Sequence, residues 1–202
     1  MDSGLATSWR PGMTEAYMAG LDTSRQFIPL KIAVLTVSDT RSLDEDKSGA
    51  TLAERIGKAG HAVADRAIVT DDVEKIRAQV KYWIADPAID VIITTGGTGF
   101  TGRDVTPEAL EPLFEKRMEG FSTLFLMVSH AKIGTSAIQT RATAGVAGAT
   151  YIFCLPGSPG ACRDAWDEIL VHQLDYRYRP CNFVEIMPRL DEHLRRDKAK
   201  TT

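Results

Sequence analysis

Two rhythms of apolar and polar positions alternate along the chain. Strand-like apolar runs recur at KIAVLTV (Lys31 to Val37), AVADRAIV (Ala62 to Val69), DVIITT (Asp90 to Thr95) and YIFCLP (Tyr151 to Pro156). Between them the period lengthens. VEKIRAQVKYWI sets Val73, Ile76, Val80 and Trp83 at helical spacing, and a further helix is expected from about Ala50 to Gly57. TPEALEPLFEKRM follows, with Thr106 placed to cap a helix and Pro107 at its first position. Phe121 to Ser129, Ser136 to Ala147 and the stretch opened by PGSPGACRDAWDEIL read as later helices. This order predicts βαβ units and an α/β fold on a mostly parallel sheet. Residues 1–26 lack a sustained period and read as a partly flexible N-terminal extension, 27–187 as the α/β domain, and 188–202 as a charged tail.

Composition narrows the function classes. The chain has 202 residues, 44% hydrophobic and 25% charged, enough for a sizeable core. Lys and Arg total 24 against 27 Asp and Glu, so no basic surplus exists to follow a nucleic-acid backbone. No stretch approaches the ~20 apolar residues of a membrane span, and the start MDSGLATSWRPGM lacks a signal-peptide core. Cys154, Cys162 and Cys181 form no metal-site spacing and read as packing residues with reduced thiols. A cytoplasmic protein with no membrane and no nucleic-acid partner is expected.

The candidate chemistry lies at the carboxyl ends of the strands, where loops of a doubly wound sheet gather around a ligand. Ser38 and Asp39 follow the first strand, Asp71 and Asp72 the second, Gly96 to Asp104 the third, and Gly157 to Gly160 the last. TTGGTGFTGRDVTPEAL (Thr94 to Leu110) is the densest of these loops. Glycines let backbone N–H groups approach an anion, so GGTG is either a phosphate or heterocycle cradle or a tight strand-to-helix turn. It is neither a dinucleotide fingerprint nor a P-loop. Asp104 is either a surface residue ahead of the helix or a carboxylate aimed at Mg²⁺. Asp71 is either its partner or a cap ahead of Val73.

TTGGTGFTGRDVTPEAL, with AVLTVSDTR and DKSG near the start and LPGSPGACRDAW near the end, resembles the MoaB/MogA family of molybdenum-cofactor biosynthesis proteins over about residues 27 to 185. GTSAIQTRATAGVAG and RPCNF look like the MoaB branch. The resemblance implies a three-layer α/β/α fold, a homo-oligomer (a trimer, or a hexamer of two trimers), and binding of molybdopterin. It further implies transfer of AMP from ATP, with Mg²⁺, to the terminal phosphate of the pterin, and hand-over to a protein that inserts molybdenum. Carried over residue by residue, it places Asp71 and Asp104 as metal-binding and catalytic residues. Gly96, Gly97, Thr98 and Gly99 then line the nucleotide and pterin pocket. Ser38, Asp39, Ser48 and Gly49 match the first-strand loop, Pro156, Gly157 and Ser158 the final turn. Arg141 stands as a phosphate partner or a surface ion pair. The alternative function is carriage of molybdopterin without turnover; whether Asp71 and Asp104 converge in space discriminates between the two.

Overall fold

The computed structural model describes residues 19–193. The parts of the expected N-terminal extension up to residue 18 and of the tail from residue 194 lie outside the described residues. A short strand β1 (Gly20–Leu21) is followed by β2 (Lys31–Val37), α1 (Lys47–Lys58), β3 (Ala62–Val69), α2 (Val73–Ile84), β4 (Val91–Thr95) and α3 (Thr106–Leu110). Then come β5 (Lys116–Arg117), α4 (Glu119–Ile133), β6 (Thr143–Ala147), β7 (Thr150–Leu155), α5 (Pro159–Ala165), α6 (Val171–Gln173), β8 (Tyr178–Arg179) and α7 (Phe183–Ile186). A π-helical stretch, Trp166–Leu170, joins α5 to α6.

Six strands form the central sheet in the order β3-β2-β4-β7-β6-β5, and β1 pairs with β8 in a small separate ribbon. The contacts β3-β2, β2-β4 and β4-β7 are parallel; β6 and β5 join antiparallel. Strand periodicity explains the layers. Ile32, Val34, Val91, Ile93, Tyr151 and Phe153 point to one face, where Leu52 and Ile56 of α1, Phe121 and Phe125 of α4 and Cys162 of α5 cover them. Ala33, Leu35, Ile92 and Ile152 point to the other, under Ile76, Val80 and Trp83 of α2 and Ala109 and Leu110 of α3. Helices on both faces make the expected three-layer fold.

Three expectations are corrected. Ser136 to Ala147 is not a helix: Gly134–Gln139 is a 3₁₀ turn and Thr143–Ala147 is the buried strand β6. The small residues of this span read as helical, yet Ala144 and Val146 pack with the α4 side while Ala147 packs with the α2 side, a division that strand geometry produces. Gly145 is required there because an added Cβ would lie 2.3 Å from the Phe114 ring. Next, the helix opening at TPEAL ends at Leu110 and gives way to a 3₁₀ turn, Glu111–Leu113, and then to β5. Thr106 does not cap it: Thr106 is already helical, and its hydroxyl donates to Gly96 O at 2.8 Å. Of the cysteines, Cys154 and Cys162 are buried free thiols, but Cys181 is exposed.

The boundaries of α1 and α2 follow from their caps. Asp46 accepts from Gly49 N and starts α1 three residues before the expected Ala50; Asp72, not Asp71, accepts from Lys75 N and starts α2. The cap of α2 thereby leaves the Asp71 carboxylate free of that duty. No helix among the described residues is long and apolar enough to cross a membrane.

Candidate functional site

The loops after β2, β3, β4 and β7 meet at one rim. The strand order places it at a topological switch: the chain leaves β2 for β3 on one side and returns to β4 on the other. A cleft of about 520 Å³ opens there. Ser38, Asp71, Gly96, Gly97, Thr98, Gly99, Asp104, Pro156, Gly157 and Ser158, all candidates from the sequence, are among the residues that line it.

The glycine loop forms the floor. Gly96 N donates to Leu155 O at 3.0 Å, tying the loop to β7, and Thr106 N donates to Gly97 O at 2.9 Å, tying it to α3. Gly96 has φ +105 and an added Cβ would sit 2.3 Å from Val37 O; Gly97 has φ +65 with 2.4 Å to Thr106 Oγ1. Only glycine fits both positions. The final turn abuts this floor, since a Cβ on Gly157 would approach Gly96 Cα at 3.2 Å. Ser158 caps α5 by accepting from Ala161 N, and Thr95 Oγ1 donates to Pro156 O at 2.9 Å.

Asp71 and Asp104 approach the floor from separate loops. A Cβ on Gly97 would lie 3.2 Å from Asp71 Oδ1, and one on Gly99 would lie 2.8 Å from Asp104 Oδ2. Their electrostatics diverge. Burial pushes the Asp71 carboxyl above the usual carboxylate range, and repulsion from Asp39 and Asp104 adds to this. Burial acts in the same sense on Asp104 but is outweighed by hydrogen bonds from the Thr101 hydroxyl, the Thr101 N–H and the Gly99 N–H, which hold it below that range. Thr101 donates to Asp104 Oδ2 through N at 2.8 Å and Oγ1 at 2.6 Å.

Four expected residues stand behind the cleft instead of lining it. Asp39 accepts from Asp71 N at 3.0 Å and pairs with Arg103 at 2.8 Å, joining three loops. Ser48 is buried and donates to Gly157 O at 2.7 Å. Gly49 packs on Asp46, whose carboxylate would meet an added Cβ. Arg141 lies outside the helix expected for it. Its Nε donates to Gly99 O at 2.8 Å, its Nη2 to Asp104 O at 2.8 Å, and its Nη1 pairs with Glu108. Each guanidinium nitrogen is engaged, so Arg141 fastens the glycine loop to α3.

Sequence reasoning passed over Val37, Arg41, Gln139, Thr140 and Pro159, which complete the lining. Gln139 and Thr140 were hidden in the span read as helix. Arg41 carried a usable signal: a cation two residues after Asp39 in the same loop. Thr140 Oγ1 is buried without a hydrogen-bond partner among the described residues.

For a metal, the side-chain oxygen donors at the floor are the carboxylates of Asp71 and Asp104, and among the described residues no cluster of three or more His, Cys, Asp or Glu is placed as a cage. That set suits Mg²⁺, which takes one or two carboxylates and completes its octahedron with water and ligand phosphate oxygens. The Asp39 and Asp104 charges that add to burial in raising Asp71 are the electrostatic counterpart: a divalent cation offsets them. His61, the buried histidine, stays out of this chemistry. It accepts from Leu30 N through Nδ1 at 3.1 Å, and burial lowers its pKa.

Residues 33–176 match the family model of a probable molybdopterin binding domain. Molybdenum cofactor biosynthesis protein B of Escherichia coli K12 is 52% identical over 160 residues, which cover 79% of this chain and 94% of that protein. The protein of the same name from Staphylococcus epidermidis is 45% identical over 152 residues, covering 73% and 86%. Among solved structures, a molybdenum cofactor biosynthesis protein B superposes with a TM-score of 0.75 at 37% identity, covering 83% of this chain and 99% of that one. The tungsten cofactor synthesizing protein MoaB from Pyrococcus furiosus superposes with 0.63 at 36%, covering 70% and 91%. A family model spanning most of the chain, joined to relatives at these identities and to the glycine-floored cleft, shows that the chain belongs to the MoaB/MogA family of molybdenum cofactor biosynthesis proteins.

Proposed function

We propose that this chain binds molybdopterin in the cleft and transfers AMP from ATP to its terminal phosphate, giving adenylylated molybdopterin and pyrophosphate. The observation that carries the reading is the approach of Asp71 and Asp104, from separate loops, to consecutive parts of one glycine floor. In the reaction an oxygen of the pterin phosphate bonds to the α-phosphorus of ATP and the bond from that phosphorus to the β-phosphate bridging oxygen breaks. A phosphate monoester is already anionic at neutral pH, so no proton has to be removed from the nucleophile. The residues needed are therefore those that position anions and offset charge. The Cβ-free floor at Gly96, Gly97 and Gly157 lets anions approach the backbone closely, and Asp71 and Asp104 would hold Mg²⁺. When bound, that ion neutralises charge on the departing pyrophosphate.

Carriage without turnover is the second reading, and one observation favours it: Asp104 Oδ2 is committed to Thr101. Purified protein mixed with molybdopterin, ATP and Mg²⁺, followed by mass-resolved chromatography, separates the two. Transfer predicts adenylylated product in wild type and a loss of ~10²-fold or more in turnover for Asp71→Asn and Asp104→Asn, in line with removal of one transition-state stabilising group. Pterin affinity stays within a few-fold. Bound pterin without product, under conditions where an authentic adenylyltransferase works, establishes carriage.

The same reading includes a cytoplasmic homo-oligomer, trimer or hexamer, that passes product to a molybdenum-inserting protein. Leu124, Met127 and Ile133 on α4 and Ile138 just after it are exposed apolar side chains, which supports a subunit contact on that side.

A further inference from the structure

We propose that Arg41 is the phosphate anchor of the cleft, holding the terminal phosphomonoester of the pterin against the Gly157 turn; this rests on the pterin reading above. Arg41 is the one cationic side chain among the described residues that line the cleft. The two neighbouring arginines are neutralised: Arg103 by Asp39 and Arg141 by Glu108. No carboxylate pairs with Arg41 among the described residues. Its Nη1 donates to Gly157 O at 3.2 Å and to Ser48 Oγ at 3.3 Å, both long bonds. Ser48 Oγ in turn donates to the same carbonyl at 2.7 Å. The guanidinium is thereby held at one corner, and its Nε and Nη2 have no protein partner among the described residues.

A planar fork fixed at one corner and open along an edge matches two oxygens of a phosphate. The charge layout of the cleft selects which phosphate. Asp71 and Asp104 repel any phosphate that enters without a metal, so a metal-free anion is held where the cation stands. The pterin monoester is such an anion, and above its second ionisation, near pH ~6, it is a dianion. Anchoring it at the Gly157 turn leaves the glycine floor and the carboxylates to the nucleotide.

The test is equilibrium binding by calorimetry, in EDTA and without nucleotide, using molybdopterin and the same pterin after removal of its phosphate. Wild type, Arg41→Ala, Arg41→Lys and Ser48→Ala are compared, with melting curves to verify folding. Arg41→Ala is expected to weaken molybdopterin ~10- to 100-fold, the range for hydrogen bonds to a charged group. Binding of the dephosphorylated pterin stays within ~2-fold, because the lost contact is to phosphate alone. Arg41→Lys recovers only part of the loss, since a point charge replaces a fork. Ser48→Ala, which keeps the cation but frees its corner, falls between wild type and Arg41→Ala. Wild-type affinity rises through pH ~6 and that of Arg41→Ala rises less. Equal binding of molybdopterin by wild type and Arg41→Ala overturns the assignment, as does an equal loss for both ligands, which marks collapse of the Gly157 turn. Wild type that binds neither ligand overturns the pterin reading itself.

Discussion

At the scale of single residues, the cleft sets two carboxylates on one glycine floor and drives their acidities apart. Asp71 is raised by burial first and then by its acidic neighbours; Asp104 is lowered because hydrogen bonds outweigh its burial. A carboxyl raised in the folded state stabilises the fold at low pH, and that contribution is lost as pH rises through the folded pKa. Ionised Asp71 is therefore a liability to the ligand-free fold at neutral pH, and Asp71→Asn should raise the melting temperature at pH 7. Because much of the group is open to solvent, a gain of about 1–2 °C is expected. The gain shrinks as pH falls below the ordinary carboxylate range, where Asp71 is protonated in the folded and the unfolded chain alike. A lower melting temperature for Asp71→Asn at pH 7 would contradict the repulsion. The arginines carry the converse lesson about legibility. Arg141 and Arg41 look alike as letters in loops near glycines. Which one keeps an open edge is decided by Gly99 O, Asp104 O and Glu108 on one side and by Gly157 O and Ser48 on the other. Those partners are 7 to 116 residues distant in the chain, so no local pattern reveals them.

At the scale of elements, the site depends on how β2, α1 and β3 are locked together, and Asp46 is the lock. Its buried carboxylate accepts from Thr36 Oγ1 of β2 at 2.7 Å, from Gly49 N of α1 at 2.9 Å and from Arg66 Nη2 of β3 at 2.9 Å. Burial alone would raise its pKa, but the Gly49, Thr36 and Arg66 bonds together lower it. Its stabilisation is therefore present above the ordinary carboxylate pKa and is lost as pH falls through the folded value. Asp46→Ala removes a helix cap and leaves Arg66 without its partner, a cost of about 3 kcal/mol. In a domain of this size that lowers the melting temperature by about 6–12 °C. Asp46→Asn keeps the cap acceptor and should lose less, and its acid-unfolding profile should be flatter than that of wild type. A drop for Asp46→Ala within ~1 °C of wild type would remove Asp46 from this role. Helix caps of this kind were only partly legible. Val73, Ile76, Val80 and Trp83 announce α2 by their spacing, whereas Thr143 to Ala147 are small residues whose period is set by the Phe114 ring and the helices on either face. Nothing within TAGVA itself distinguishes a strand from a helix.

At the scale of the whole molecule, strand order brings four distant loops to one rim, and this much the alternation of strands and helices foretold. The antiparallel edge β6-β5 was not foretold, since its pairing partner β7 arrives after β6 in the chain and its outer strand is two residues long. The rim on which function is proposed lies on the parallel side, so the candidate site was more legible than the edge of the sheet. A site assembled from four loops also links ligand binding to global stability, because unfolding disperses all four at once. On the proposed function, molybdopterin at ~100 times its dissociation constant should stabilise the native state by about 2.7 kcal/mol, or about 5–10 °C for a domain of this size. On the same reading ATP with Mg²⁺ should bring a second increment, and the two should respond differently to mutation. In the double variant Asp71→Asn, Asp104→Asn the pterin increment persists while the Mg²⁺-dependent nucleotide increment is lost; in Arg41→Ala the nucleotide increment persists while the pterin increment shrinks to about 0.4–1.4 kcal/mol. Differential scanning calorimetry with each ligand alone and both together measures this. If both variants lose both increments equally, the carboxylates and Arg41 do not divide the cleft, and pterin and nucleotide share a single anion site.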